Sequence, residues 1–245
     1  SFPTRRSSDL PTHRSSLRRT PLCFNTKSPL AKTLLAAAAI AVMPLAPAMA
    51  DGAIGSQIMN GQINLQTNWS NLNGSVDTVG GDVVAQGSAA GNMVDITTMN
   101  DTRVQNSQIV GPQANIGSNV NMDANNVWGS VGISSQALCN GAQVSTDPIL
   151  TKVNSYQECN ARDPYSSINT NITNVAGNAV VQGSAIANSF EADSNAPNFP
   201  IVTKQISNSA SVSNVNANMF NVGKSVGLSS SAVGNTAQII HYGVN

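Results

Sequence analysis

VWGSVGISSQALCNGAQV, from Val127 to Val144, returns as VGKSVGLSSSAVGNTAQI, from Val222 to Ile239, and looser copies of the pattern lie before and between the two. Alanine, any residue, a small residue and asparagine recur at Ala89 to Asn92, Ala137 to Asn140, Ala185 to Asn188 and Ala232 to Asn235, with the asparagines 48, 48 and 47 residues apart. Regular spacing of this kind marks an architecture made by stacking one unit on the next.

Counting back from each Asn, the odd positions are apolar or small: Val79, Val127, Val175 and Val222, then Val83, Val131, Ala179 and Val226, then Ala85, Ile133, Val181 and Leu228. The even positions between them include Asp82, Ser130, Asn178 and Ser225, and then Gln86, Ser134, Gln182 and Ser229. Strict alternation is a β-strand signal, because successive side chains of a strand point to opposite faces. Beyond the Asn the parity switches, with Val94 and Ile96, Ala142 and Val144, Phe190 and Ala192, and Ala237 and Ile239 as the apolar pairs. A turn or bulge is expected there, with Gly91-Asn92 and Gly234-Asn235 able to take the left-handed backbone it requires. Asn92, Asn140, Asn188 and Asn235 are accordingly read as structural corner residues that stack and bond to one another.

The chain is thus expected to be all-β, a repeat-built β-solenoid or stacked sheet, with residues 76–245 as four repeats of about 48 residues and residues 51–75 as an N-terminal cap. The units alternate in kind. Gln86-Gly87-Ser88-Ala89 returns as Gln182-Gly183-Ser184-Ala185, while Ser130-Val131-Gly132-Ile133-Ser134-Ser135 returns as Ser225-Val226-Gly227-Leu228-Ser229-Ser230.

Cys159-Asn160 echoes Cys139-Asn140, and Ser207-Asn208 echoes Ala187-Asn188. If each unit is two coils of roughly 20 to 28 residues, Cys139 and Cys159 occupy equivalent places on adjacent rungs, about 4.8 Å apart and within reach of a disulfide. That pairing is expected, and an oxidising destination supports it. Residues 145–167 have a different texture, with Pro148, Pro164, Lys152, Glu158, Arg162 and Asp163, and read as a loop excursion from the stack. Exposed loops on rigid scaffolds carry binding, so Tyr156, Arg162 and Tyr165 are the candidate contact residues.

Residues 1–26 lack any apolar periodicity and read as a non-native extension. Residues 27–50 carry Lys27 and Lys32, an apolar run from Leu34 to Leu45 and then Ala48-Met49-Ala50, the layout of a secretory signal peptide. The run is too short for a bilayer span, which needs roughly 20 apolar residues. The chain from Asp51 onward holds five Lys and Arg against 11 Asp and Glu, a net charge of −6. That balance argues against a nucleic-acid partner, whose phosphates demand a basic face.

Catalytic chemistry has little to work with. His241 is the lone histidine after the leader, no Cys and His set has zinc spacing, and the acids form no calcium loop. No cofactor or metal is expected. A β-helix polysaccharide-degrading enzyme would need acids and bases along one outer face; Asp82 and Asp95 are its nearest candidates, with Asn178 and Glu191 at the equivalent places.

The spaced Ser, Gly, Asn, Ala and Gln of Ser134–Gln143 and Ser229–Gln238 resemble curlin repeats, the units of bacterial curli fibres. More closely, the long Val, Ala and Gly-Asn units after a bacterial leader, from Val76 to Ile240, resemble the holdfast attachment proteins of stalked alphaproteobacteria. That resemblance implies a secreted, non-catalytic protein of the bacterial outer surface that anchors adhesive polysaccharide, with extracellular polysaccharide or other envelope or fibre proteins as partners. A self-polymerising, curli-like fibre subunit, partnered by copies of itself, is the second expectation.

Overall fold

The computed structural model describes residues 56–147 and 150–242; the expected extension at 1–26 and signal peptide at 27–50 lie outside the described residues. The fold is all-β. Strands β1 (Ser56–Asn64), β2 (Asn68–Val79) and β3 (Val83–Thr98) form a first rung, and β4 (Thr102–Val110), β5 (Asn115–Val127) and β6 (Val131–Thr146) a second. Strands β7 (Thr151–Cys159), β8 (Arg162–Val175) and β9 (Ala179–Ser194) form a third, and β10 (Ile201–Ser207), β11 (Val212–Val222) and β12 (Val226–His241) a fourth. Every third strand stacks in parallel, giving a first sheet β1-β4-β7-β10, a second β2-β5-β8-β11 and a third β3-β6-β9-β12. The result is a three-sided β-solenoid.

Register follows the repeat. Val83 lies against Val131, Val131 against Ala179, and Ala179 against Val226. Each unit of about 48 residues is therefore one coil of three strands, not two shorter coils. The shorter echo arises because Cys139 stands on the third side of one rung and Cys159 on the first side of the next. Residues 56–75, expected as a cap, are β1 and most of β2, two sides of the first rung.

The expected excursion at 145–167 is also corrected. Apart from its corner it contains all of β7, in unbroken parallel register with β4, and the start of β8, which pairs in parallel with β5. Pro164 is buried at the point where the β5 to β8 register shifts, between the pairs Asn115 to Arg162 and Gly117 to Tyr165. A proline is tolerated at such an irregularity because the ladder needs no N–H there.

The third sheet explains the switch in parity. Its strands are 16 residues long in β3, β6, β9 and β12 and pass through the repeated Asn without ending. The pairing skips one residue: Leu138 opposes Ile186 and Asn140 opposes Asn188, with Cys139 and Ala187 between them unpaired. The strand bends at that place. Its first half packs on the second sheet through Val131, Ile133, Val120, Ile168, Ile172 and Val181, and its second half packs on the first through Val144, Val104, Val153 and Phe190.

No left-handed backbone is used at the bend. The positive φ angles fall at Thr78 (58°), Asn126 (54°), Asn174 (53°) and Asn221 (56°), one per rung at the end of each second-sheet strand, and no described glycine has one. Asparagine tolerates that region better than other residues with a Cβ, because its short polar side chain bonds locally.

Alternation of the units also has a packing cause. Gly87, Ser135, Gly183 and Ser230 form one column of the third sheet. The Ser135 hydroxyl donates to the Ser118 carbonyl at 3.0 Å, and the Ser166 hydroxyl donates to the Ser135 carbonyl at 2.9 Å. A Cβ at Gly87 would stand 2.7 Å from Ser118 Oγ, and one at Gly183 2.8 Å from Ser213 Oγ. Glycine on alternate rungs makes room for the serines between.

Candidate functional site

The repeated asparagines line the interior. Asn92 Nδ2 donates to Asn140 Oδ1 at 2.9 Å, Asn140 to Asn188 at 2.8 Å and Asn188 to Asn235 at 2.7 Å. The same amide nitrogens donate across the interior to first-sheet carbonyls, Asn92 to Ile109 at 3.0 Å, Asn140 to Glu158 at 3.0 Å and Asn188 to Ile206 at 2.8 Å. A reciprocal glutamine column, absent from the sequence reading, runs beside them. Gln108 donates to Gln62 at 3.0 Å, Gln157 to Gln108 at 2.9 Å and Gln205 to Gln157 at 2.8 Å. Each of these also reaches a third-sheet carbonyl, Gln108 at Gly141 and Gln157 at Ser189, at 3.0 and 2.9 Å. The middle members, Asn92, Asn140 and Asn188 and Gln108 and Gln157, are buried, and their amides hold the first and third sheets together, as buried polar groups require. They are framework, not a ligand site.

Cys139 and Cys159 form a disulfide with a Cα separation of 6.0 Å. They are not column neighbours. Cys139 has Ala187 in the equivalent place on the next rung, and Cys159 opposes Val110 and Ser207. The bridge instead crosses the corner cluster of Ala89, Val110, Ala114, Ile116 and Ala187, joining the second rung to the third.

Tyr156, Arg162 and Tyr165 are not gathered in one loop. Tyr156 lies on the first sheet, where its hydroxyl donates to Glu158 Oε2 at 2.5 Å and Lys204 Nζ sits 5.7 Å from its ring centroid. Burial, reinforced by the hydrogen bond to Glu158 and by its negative charge, pushes the Tyr156 phenol up to about 12. Arg162 opens β8, exposed and opposite Asn115. Tyr165 is on the second sheet and stacks on Trp69, with ring centroids 6.2 Å apart and planes at 18°. The two rings meet over Gly117 of the intervening rung, where a Cβ would stand 2.1 Å from the Trp69 ring.

That stack borders the outer face of the second sheet, which is built of amides. Asn121 donates to Asn73 at 2.7 Å, Asn119 to Asn71 at 3.1 Å and Asn216 to Asn169 at 3.0 Å. Its acids are capped by donors of the next rung: Asp123 accepts from the Asn171 backbone N–H and side-chain amide at 3.0 Å each, and Asp77 accepts from Asn125 at 3.0 Å and Asn126 at 2.9 Å. The column of left-handed residues continues this pattern at the corner, Asn174 donating to Asn126 at 3.0 Å and Asn221 to Asn174 at 2.9 Å, beside the exposed ring of Trp128.

The acids singled out for hydrolysis are spread apart. Asp82 accepts the Ser130 N–H at 2.7 Å, and Asp95 lies on the outer face of the third sheet against Gln143, with Glu191 one rung further. The Asp95, Gln143 and Glu191 column thus alternates acid with amide, which keeps like charges two rungs apart. Among the described residues no group of three His, Cys, Asp or Glu is placed to hold a metal ion, and no helix is long and apolar enough to cross a membrane.

A parallel β-solenoid whose second sheet carries ladders of asparagine on its outer face defines a repeat-built β protein. The chain belongs to the family of Holdfast attachment protein D (HfaD), whose model matches residues 46–243, and membership implies a role in holdfast adhesion at the cell surface. No curated protein and no solved structure matches the chain.

Proposed function

We propose that this protein is a non-catalytic anchor, exported by the leader at 27–50, that holds adhesive polysaccharide to the bacterial outer surface. The observation that carries this reading is the outer face of the second sheet, where Asn71, Asn73, Asn119, Asn121, Asn169 and Asn216 project in register on a rigid, parallel frame. Each bonded amide retains hydrogen-bonding capacity beyond its ladder bond. A polysaccharide laid on the grid meets the same donors and acceptors at every rung, about 4.8 Å apart, so weak contacts sum to avidity. Co-sedimentation of the chain with purified holdfast polysaccharide tests it: an Asn119→Leu, Asn121→Leu, Asn169→Leu variant that folds but still co-sediments as well as wild type rejects the amide face as the contact surface.

The fibre reading draws on a different feature. The fourth rung has no strand beyond β10, β11 and β12 among the described residues, and its inward-facing Val226, Leu228 and Ile239 are 52, 57 and 51 % exposed. An unpaired rung of this kind can template addition of another subunit. Leu228→Lys would then stop filament growth in electron micrographs; filaments unaffected by it exclude that end as the growing surface.

A further inference from the structure

We propose that the corner groove around Trp128 is a subsite for one neutral sugar ring of a polysaccharide, a proposal that rests on the anchoring reading above. Trp128 is 74 % exposed. The fold does not need it, because Ala176 and Gly223 take its place on the next rungs and make the same corner bond: Trp128, Ala176 and Gly223 each donate a backbone N–H to the preceding rung, at 2.9, 2.8 and 2.7 Å. A large apolar ring held in water on a rigid corner is a cost that packing within the chain does not explain.

The small side chains above it leave an open groove of about 560 Å³, which Trp128 lines together with Asn126, Asn174 and Asn221. Those three amides are held in fixed left-handed backbone and bonded in one direction, Asn221 to Asn174 to Asn126. Asn174 therefore spends one N–H and one oxygen lone pair on the ladder and keeps one of each for a ligand. The combination is an aromatic plate beside a row of paired donors and acceptors. A pyranose ring matches both, since its C–H face stacks on an indole and its hydroxyls donate and accept together. None of the residues lining the groove is charged, which selects a neutral sugar over a phosphate or a uronate.

Oligosaccharide fragments of purified holdfast polysaccharide serve as the probe, titrated into residues 27–245 expressed with its leader and carrying Trp69→Phe, so that Trp128 is the sole indole of the chain after the leader. Saturable quenching or a blue shift of its emission is expected, together with about tenfold weaker binding of the fragments by Trp128→Ala in the otherwise native protein. Trp128→Ala folds because alanine already occupies that place at Ala176. Unchanged affinity in Trp128→Ala, with wild type still binding, overturns the subsite and leaves the anchoring reading standing; failure of wild type to bind the polysaccharide at all overturns both. An emission shift that follows protein concentration without sugar, and disappears in Trp128→Ala along with self-association, makes the corner a protein interface and also overturns the subsite.

Discussion

Asn140 and Asn188, 48 residues apart in the chain, are joined amide to amide at 2.8 Å in the buried centre of the solenoid, while Asn140 Nδ2 also donates to the Glu158 carbonyl at 3.0 Å. Both side chains are wholly buried. Asn140→Ala strands that carbonyl and an amide on either side, so it should lower stability by about 3 kcal/mol. Asn121→Ala, which breaks an outer-face ladder bond that water can replace, should cost about 0.5 kcal/mol or less. Guanidinium unfolding followed by circular dichroism compares the two, and equal effects would refute the framework role of the inner column.

The Cys139 to Cys159 bridge closes a span of 20 residues. The neighbouring rungs supply its replacement, with Ala187 beside Cys139 and Val110 beside Cys159. A Cys139→Ala, Cys159→Val variant should keep its β-sheet spectrum and lose about 3 kcal/mol, the constraint a loop of that size places on the unfolded chain. Thermal unfolding with and without reductant reads this directly: reductant should lower the wild-type transition and leave the variant unmoved.

Thr78 is the lone β-branched residue among the four at positive φ, the others being Asn126, Asn174 and Asn221. A branched Cβ is strained in that conformation and asparagine is not. Thr78→Asn should therefore stabilise the first rung by about 1 kcal/mol. A shift of the urea midpoint to lower concentration would contradict it.

Tyr156 gives a dependence on pH. Its folded value of about 12 lies above the 10.0 ordinary for a phenol, so the folded chain holds this proton more tightly than the unfolded chain does. The contribution to stability is fully present below pH 10 and is lost as pH rises through about 12. Absorbance of phenolate should show one tyrosine titrating last, Tyr156→Phe should remove that step, and the variant's stability should fall less between those limits.

The third side of the solenoid was the readable one. Its Ala-x-small-Asn signature keeps a spacing of 48, 48 and 47 residues because the strand runs unbroken through a bend that every rung must make. The glutamine column has no such signature in the sequence, because Gln62, Gln108, Gln157 and Gln205 are spaced unevenly, their corners differing in length, so no fixed offset gathers them. Prolines and charges disguised β7 and β8 as a loop, since a strand that is exposed on one face tolerates Lys152 and Glu158 there and Pro164 at its register shift. Trp128 was legible in principle: it is the lone large residue in a column otherwise held by Gly80, Ala176 and Gly223. Its meaning emerges only when the left-handed asparagines are seen to line up beside it.

Adhesion subjects an anchor to tension, and the disulfide changes how this chain carries it. A solenoid pulled from its end peels rung by rung, because each coil touches only its neighbours. Once peeling reaches Cys159, the pull passes through the sulfurs to Cys139, and the 20-residue arc between them drops out of the line of force. The bridge thus withholds the length of that arc from a stretched chain: the coils beyond Cys159 open first, and the load then falls on β6 at Cys139 without passing through the residues between.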